Sequence, residues 1–415
     1  MSFDVDLTDL DLFTRGFPHD TFSRLRRERP VWFHPPTEHT PDGEGFWVLS
    51  RHADVTAAAS SPAVFSSEGG GSRSGGGTIL EDLEPGSGGA GTFLNMMDGA
   101  RHRQVRRRVQ PAMSVRAVGE FEREMRARVL GVVDHSIERE RFDALNDLAA
   151  PIAAQAIAEM LGAPLGDARK LFEWRLAALD HVNRELGEPT TEVLGALSAL
   201  AQYGDALLEG AASQQAESVM SLIAVPYARA RGEGPPLSAD EQQLLVQLVV
   251  AAGIDAAHTI AAGVLALVEA PDACAALLAD HSLIPSAVEE VLRWASTTPY
   301  SRRTATQDLR IGDQQVRAGD KVTLWWASAN RDEGTFIEPF VFNPGRDPNP
   351  HIGFGHGTHT CLGAHLVRLE LRLVIELIVA AGESGRRLEL AGPVEWTRSN
   401  KHTGVRALPM RWSRP

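Results

Sequence analysis

The sequence predicts a mainly helical fold, a large helical domain with small β-sheets, in one domain spanning residues 1–415. Three observations carry this expectation. From Asp98 to about Leu292 helical patterning dominates, divided by Pro151, Pro189, Pro226, Pro235, Pro236, Pro271 and Pro285. Leu248 to Val268 is apolar and long enough to cross a bilayer, yet Asp255 and His258 sit at its middle, as suits a helix buried through the centre of a large helical domain. Short runs separated by turn residues, the pattern of strands, occur on the flanks.

In chain order, Gly45 to Leu49 and Ala63 to Phe65 read as strands among small helices, making residues 1 to about 65 the β-rich part. Residues 66–92, rich in Gly and Ser, predict a mobile loop within the domain, because apolar segments resume on both sides. Ser238-Ala-Asp-Glu241 has the form of a capping box opening the helix that leads into the apolar stretch. Leu309 to Val322 predicts short strands with Gly-Asp turns, Pro339 to Pro350 an irregular stretch, and Leu362 to Ala381 a last long helix. There is no internal repeat.

Composition narrows the function. The 415 residues carry a formal net charge of −13 and 43% hydrophobic residues, enough for a large core. The N-terminus is acidic where a secretory signal would be basic and then apolar. Two cysteines far apart, Cys274 and Cys361, make no disulfide framework, so a reducing cytoplasm is expected. The negative balance argues against nucleic-acid binding, and no membrane role is expected.

The chemistry concentrates in residues 351–363, HIGFGHGTHTCLG. Cys274, in PDACAALLAD, reads as a small buried hydrophobe. Cys361 sits at the N-terminal edge of a helix, where the dipole and free N–H groups favour a thiolate, and Gly355, Gly357 and Gly363 let backbone pass close to a flat or bulky group. This suits a metal-bound thiolate. Zinc would need further ligands at chelating spacing, and His351, His356 and His359 offer no second thiol or acid framework. A catalytic cysteine would need a base, and His359 points elsewhere from a helix start.

The pattern Phe354-Gly355-x-Gly357-x-His359-x-Cys361-Leu362-Gly363 resembles the haem-binding signature of the cytochrome P-450 family, whose cysteine thiolate is the axial iron ligand. Glu290-Val-Leu-Arg293 resembles the family's Glu-x-x-Arg motif, and Phe342-x-Pro344-x-Arg346-x-x-Asn349-x-His351 its meander; both imply a scaffold beneath the haem. Asp98 to Arg106 looks like the helix whose His102 and Arg106 bind a haem propionate, with Arg303 and His359 at further propionate positions. The surplus Arg101, Arg103, Arg107 and Arg108 imply a basic patch for an acidic ferredoxin.

In the family the central helix carries Ala-Gly-x-acid-Thr; here Ala252-Gly253-Ile254-Asp255-Ala256 keeps the acid and lacks the alcohol. The resemblance makes Gly253, Asp255 and Ala256 the catalytic positions and Ala252 a haem contact. Without the hydroxyl that relays protons, three routes remain open: a substrate hydroxyl or amide, ordered water from Asp255, or direct hydrogen abstraction. His258 and Thr259 are out of register and read as a packed pair. Substrate contacts fall in Asp82 to Leu94, Ala178 to Leu197, Val249 to Ala256, Thr297 to Ser301 and Ser399 to His402. The resemblance thus implies a monomeric haem b oxidoreductase hydroxylating, or forming bonds in, a lipophilic or natural-product molecule, with electrons from ferredoxin and ferredoxin reductase. The alternative is a haem-thiolate ligand or gas sensor without turnover.

Overall fold

A computed structural model describes residues 5–71, 73–84, 89–182, 190–211, 219–224 and 237–414. Its centre is the helix Ala239–Glu269, 31 residues long. The helix starts where the capping box predicts: the Ser238 hydroxyl accepts from the Glu241 N–H at 3.1 Å and the Glu241 carboxylate accepts from the Ser238 N–H at 2.8 Å. Among the described residues it alone has the length and hydropathy of a membrane span, and 61% of its most apolar window is buried inside the molecule. Its apolar surface is therefore spent on protein neighbours: the helices Ala150–Leu161, Ile284–Ala295 and Ala364–Glu383. Gly263 lets one of them close in, since a Cβ there would lie 2.8 Å from Val291.

Helix Ile284–Ala295 carries the motif pair into the interior. Glu290 and Arg293 are fully buried and joined by two bonds of 2.7 and 2.8 Å. Arg346 adds bonds of 3.0 and 3.2 Å to the same carboxylate, and Asn349 one of 3.2 Å. A buried carboxylate stays tolerable only when its lone pairs are filled in this way.

A five-stranded sheet flanks the helices in the order Val31–His34, Phe46–Leu49, Lys321–Leu324, Ser301–Ala305, Phe65–Ser66. The Phe46–Leu49 and Lys321–Leu324 strands run parallel, the other neighbours antiparallel. Leu309–Ile311 and Gln314–Val316 form the expected hairpin, turning at Gly312 with φ +58°. The described residues of the segment 66–92 make specific backbone and side-chain bonds. Gly76 and Leu83 exchange backbone bonds of 3.1 and 2.9 Å, Leu80 is buried, and Arg302 N–H and Lys401 Nζ both donate to the Thr78 carbonyl. Donors from distant strands and loops hold this backbone, which composition cannot register.

Candidate active site

The loop before the last helix is shaped by glycine and one backbone bond. Gly355 and Gly357 have φ of +72° and +75°, where a side chain is strained, and a Cβ on Gly357 would meet the Ala59 carbonyl oxygen at 2.4 Å. The Cys361 N–H closes the turn on the Phe354 carbonyl at 2.9 Å. The helix begins only at Ala364, so Cys361 stands in the turn before it rather than in its first turn. Burial pushes the thiol up, and the Gly363 N–H, Arg106 and Arg368 pull against this without reversing it. Burial thus disfavours the bare anion, and a bound metal cation would take the proton's place.

Cys361 opens on a cavity of about 260 Å³ that several elements wall. The helix Gly99–Val109 supplies His102 and Arg106, the central helix Ala252, Gly253 and Ala256, and the loop His359 and Gly363. Gly253 also serves packing, since a Cβ there would lie 2.4 Å from Ile157 of helix Ala150–Leu161. Phe354 and Gly355, earlier in the same loop, do not line the cavity, and Phe354 packs against the main core.

The donors at the cavity's edge call for anions. The His102 and His359 rings are 4.4 Å apart. Burial, then the charges of His359 and Arg106, lower His102 to about 4. His359 is lowered by burial, against the opposing bond to Asp98, from which its Nε2 lies 3.5 Å. Arg106 donates to the Thr360 carbonyl at 2.6 Å. Arg303, in strand Ser301–Ala305, is 5% exposed; its one side-chain bond among the described residues goes to the Arg302 carbonyl at 2.8 Å. Burial lowers its pKa to about 10. A buried guanidinium without a bonded acid, two neutral imidazoles and a buried thiol form a donor set that fits a metal carried on a flat dicarboxylate.

The basic helix is otherwise less free than its sequence suggested. Arg101 bonds Glu241, with Nε 2.7 Å from Oε1, and Arg108 donates to the Leu222 carbonyl at 2.6 Å. The four-arginine patch is corrected to two exposed members, Arg103 and Arg107.

Asp255 is turned away from the Cys361 cavity into a two-point pair with Arg175 of helix Ala168–Val182: Nε–Oδ1 is 3.0 Å and Nη2–Oδ2 2.7 Å. Burial pushes its carboxyl up and Arg175 outweighs that, with help from the neighbouring histidines, so it stays below the usual carboxylate range. His258 is packed, its Nδ1 3.1 Å from the Val405 carbonyl and its ring 4.5 Å from that of His402. Only glycine fits opposite, because a Cβ on Gly404 would lie 2.6 Å from Nδ1. Thr259 meets Thr297 hydroxyl to hydroxyl at 3.2 Å. Sequence reading missed Arg175 and His402 as neighbours of Asp255. Nothing in the local pattern of Arg175 marks it, since its partner is 80 residues away.

The cytochrome P-450 family model matches residues 276–381. Cytochrome P-450 126 of Mycobacterium tuberculosis is 42% identical over 406 residues, covering 97% of this chain and 96% of the relative. A methyl-branched lipid omega-hydroxylase of Mycobacterium bovis is 32% identical, with 99% and 95% coverage. A Mycobacterium marinum cytochrome P-450 solved in complex with pseudoionone superposes with a TM-score of 0.83 at 30% identity, covering 95% of this chain and 94% of that one. Relatives named as hydroxylases on the same fold set aside the sensor alternative. With such likeness over nearly its whole length, the chain belongs to the cytochrome P-450 family of haem-thiolate oxidoreductases.

Proposed function

We propose that the chain holds haem b between the central helix and the 351–363 loop, with Cys361 as axial ligand, and carries out oxidative tailoring of a lipophilic small molecule. The observation behind this reading is Cys361 facing a cavity lined also by His102, Arg106 and His359, with the buried Arg303 hydrogen-bonded to no carboxylate among the described residues. Arg106, His102, Arg303 and His359 would hold the propionates by charge-assisted bonds, each about 1.5–3 kcal/mol. Gly363 and Ala252 would admit the ring, and Phe354 and Gly355 shape the loop beneath it. When bound, the haem supplies oxygen activation and the oxidising power.

The protein's own part on the distal side is to shape and to withhold. The central-helix wall of the cavity, Leu245, Leu248, Val249, Ala252, Gly253 and Ala256, has no hydroxyl, and the Asp255 carboxylate must exchange Arg175 for water before it can pass a proton on. The donor that the alcohol would provide then comes from the substrate's own hydroxyl or amide. A branched, acyclic lipophile fits the small residues of this wall and the substrates named for the relatives. Separate ferredoxin and reductase proteins supply electrons, docking on the face of Arg103 and Arg107 of a cytoplasmic, monomeric enzyme.

The test is spectroscopic. The reduced carbon monoxide complex should show the red-shifted Soret band of thiolate ligation, and Cys361→His should abolish it. A surviving band removes the axial assignment. Spin-state shifts on titration with branched terpenoid alcohols, against straight-chain alkanes, test the substrate class.

A further inference from the structure

A charged strap on the thiolate side joins the molecular surface to the loop bearing Cys361. Arg368, on the last helix, bonds Glu289 at two points, Nε–Oε1 2.7 Å and Nη2–Oε2 2.9 Å. Its guanidinium carbon lies 4.9 Å from the centroid of the Phe354 ring, close enough for a cation–π contact. Phe354 is the residue whose carbonyl receives the Cys361 N–H. Glu289 also meets His351 Nε2 at 2.9 Å, while His351 Nδ1 accepts from the Gly353 N–H at 3.2 Å. That acceptance puts the ring proton on Nε2, so the imidazole donates to Glu289. The strap therefore grips the thiol loop at its entry through His351 and near its turn through Phe354.

The strap also brings charge to the loop. Arg368 reaches the Cys361 turn through the Phe354 ring, and Arg106 reaches it from the other side of the chain through the Thr360 carbonyl. Arg106 belongs to the propionate cluster; Arg368 does not, and it carries a carboxylate partner that offsets its charge. About a third of its side chain, 35%, is exposed, onto an open groove of about 300 Å³ shared with Val115, Glu122, His365 and Arg372.

We propose that Arg368 is a positioning residue that raises the reduction potential of the haem-thiolate site through Phe354 and through space, and that Glu289 sets how much of its charge the site feels. A cation beside the sulfur stabilises whichever state carries more negative charge, which is the reduced one. Glu289, paired with the guanidinium at two points, opposes it. Solvent at the groove screens both, so the effect is smaller than for a buried pair. The inference rests on Cys361 being the axial ligand.

The experiment is a redox titration of the full haem protein as wild type, Arg368→Leu, Arg368→Lys and Glu289→Gln, with the carbon monoxide spectrum of each. Arg368→Leu should move the potential negative, raising the oxidised-to-reduced ratio at a fixed poise about tenfold. Arg368→Lys should stay near wild type. Glu289→Gln should move it positive. A purely structural role would loosen the loop in both neutralising variants and shift them in the same direction. Shifts of one sign, or none, overturn the proposal while the thiolate band is present; absence of the band in wild type overturns the ligand reading instead. If Arg368→Leu takes up no haem, the sign for Glu289→Gln decides alone.

Discussion

The scaffolds on the two sides of the Cys361 cavity are built by different means. On the thiolate side the decisive features are near neighbours in sequence: Gly355 and Gly357 at positive φ, the Cys361–Phe354 backbone bond, and Glu290 with Arg293 three residues apart. On the distal side they join distant elements: Asp255 with Arg175, His258 with His402, Thr259 with Thr297. One face is a scaffold fixed by spacing; the other is an arrangement of side chains set by how helices settle.

Removing one acid from each face should break or confirm that distinction. Glu290→Ala strands Arg293 and Arg346, both buried, and should destabilise the protein by about 3–5 kcal/mol, read by chemical denaturation. Asp255→Asn leaves Arg175, whose side chain is 14% exposed, able to find water, and should cost less than half as much. Equal losses would mean that the distal pair is scaffold too.

The thiolate side should also carry a pH signature. Glu370, on the last helix, is fully buried with both carboxylate oxygens unbonded, and burial raises its pKa from 4.5 to about 8. The folded state then binds a proton that the unfolded state releases, so this stability is present below pH 4.5 and lost as pH rises through about 8. The loss is about 3 kcal/mol by neutral pH. Glu370→Gln should flatten that slope in urea titrations across this range. A wild-type slope unchanged by the substitution would place the carboxyl in a polar setting.

Arg303→Ala tests the donor set beside the cavity. Losing one charge-assisted bond of about 1.5–3 kcal/mol should speed haem transfer to an acceptor protein roughly tenfold to a hundredfold, with product identity unchanged. Retention equal to wild type would remove Arg303 from the propionate cluster.

The same division explains what could be read from the sequence. The central helix announced itself through Ser238 and Glu241 and the thiol loop through its glycines, because each follows a local rule of capping or φ, whereas the buried triad of Glu290, Arg293 and Arg346 was expected only from the resemblance to the family's motifs. The Arg175–Asp255 pair was invisible, since an arginine on a helical stretch has many possible partners. The basic patch was overcounted for the same reason: Glu241 and the Leu222 carbonyl, which take up Arg101 and Arg108, lie far along the chain. The parallel pairing of Phe46–Leu49 with Lys321–Leu324 joins the two ends of the fold, and neither strand carries a sign of the other.

The smallest effect belongs to Ala256, and it separates the accounts of the distal proton. Its methyl faces the cavity where the family carries a hydroxyl, and Asp255 is held by Arg175. If the substrate supplies the donor, wild type should couple well with its native substrate, and an analogue lacking the hydroxyl or amide should release about twofold to fivefold more hydrogen peroxide per electron pair. Ala256→Thr should restore coupling for the analogue, because a protein hydroxyl again stands at the wall, and should change little with the native substrate. Direct hydrogen abstraction predicts instead that the threonine leaves coupling alone and turns product toward hydroxylation. Water relayed from Asp255 predicts that wild type couples equally with both molecules, and that Arg175→Leu, by freeing the carboxylate, alters the pH profile of coupling for both alike. Peroxide and product measured together for the two proteins and two molecules distinguish these outcomes, and equal coupling of wild type with substrate and analogue rules out substrate assistance.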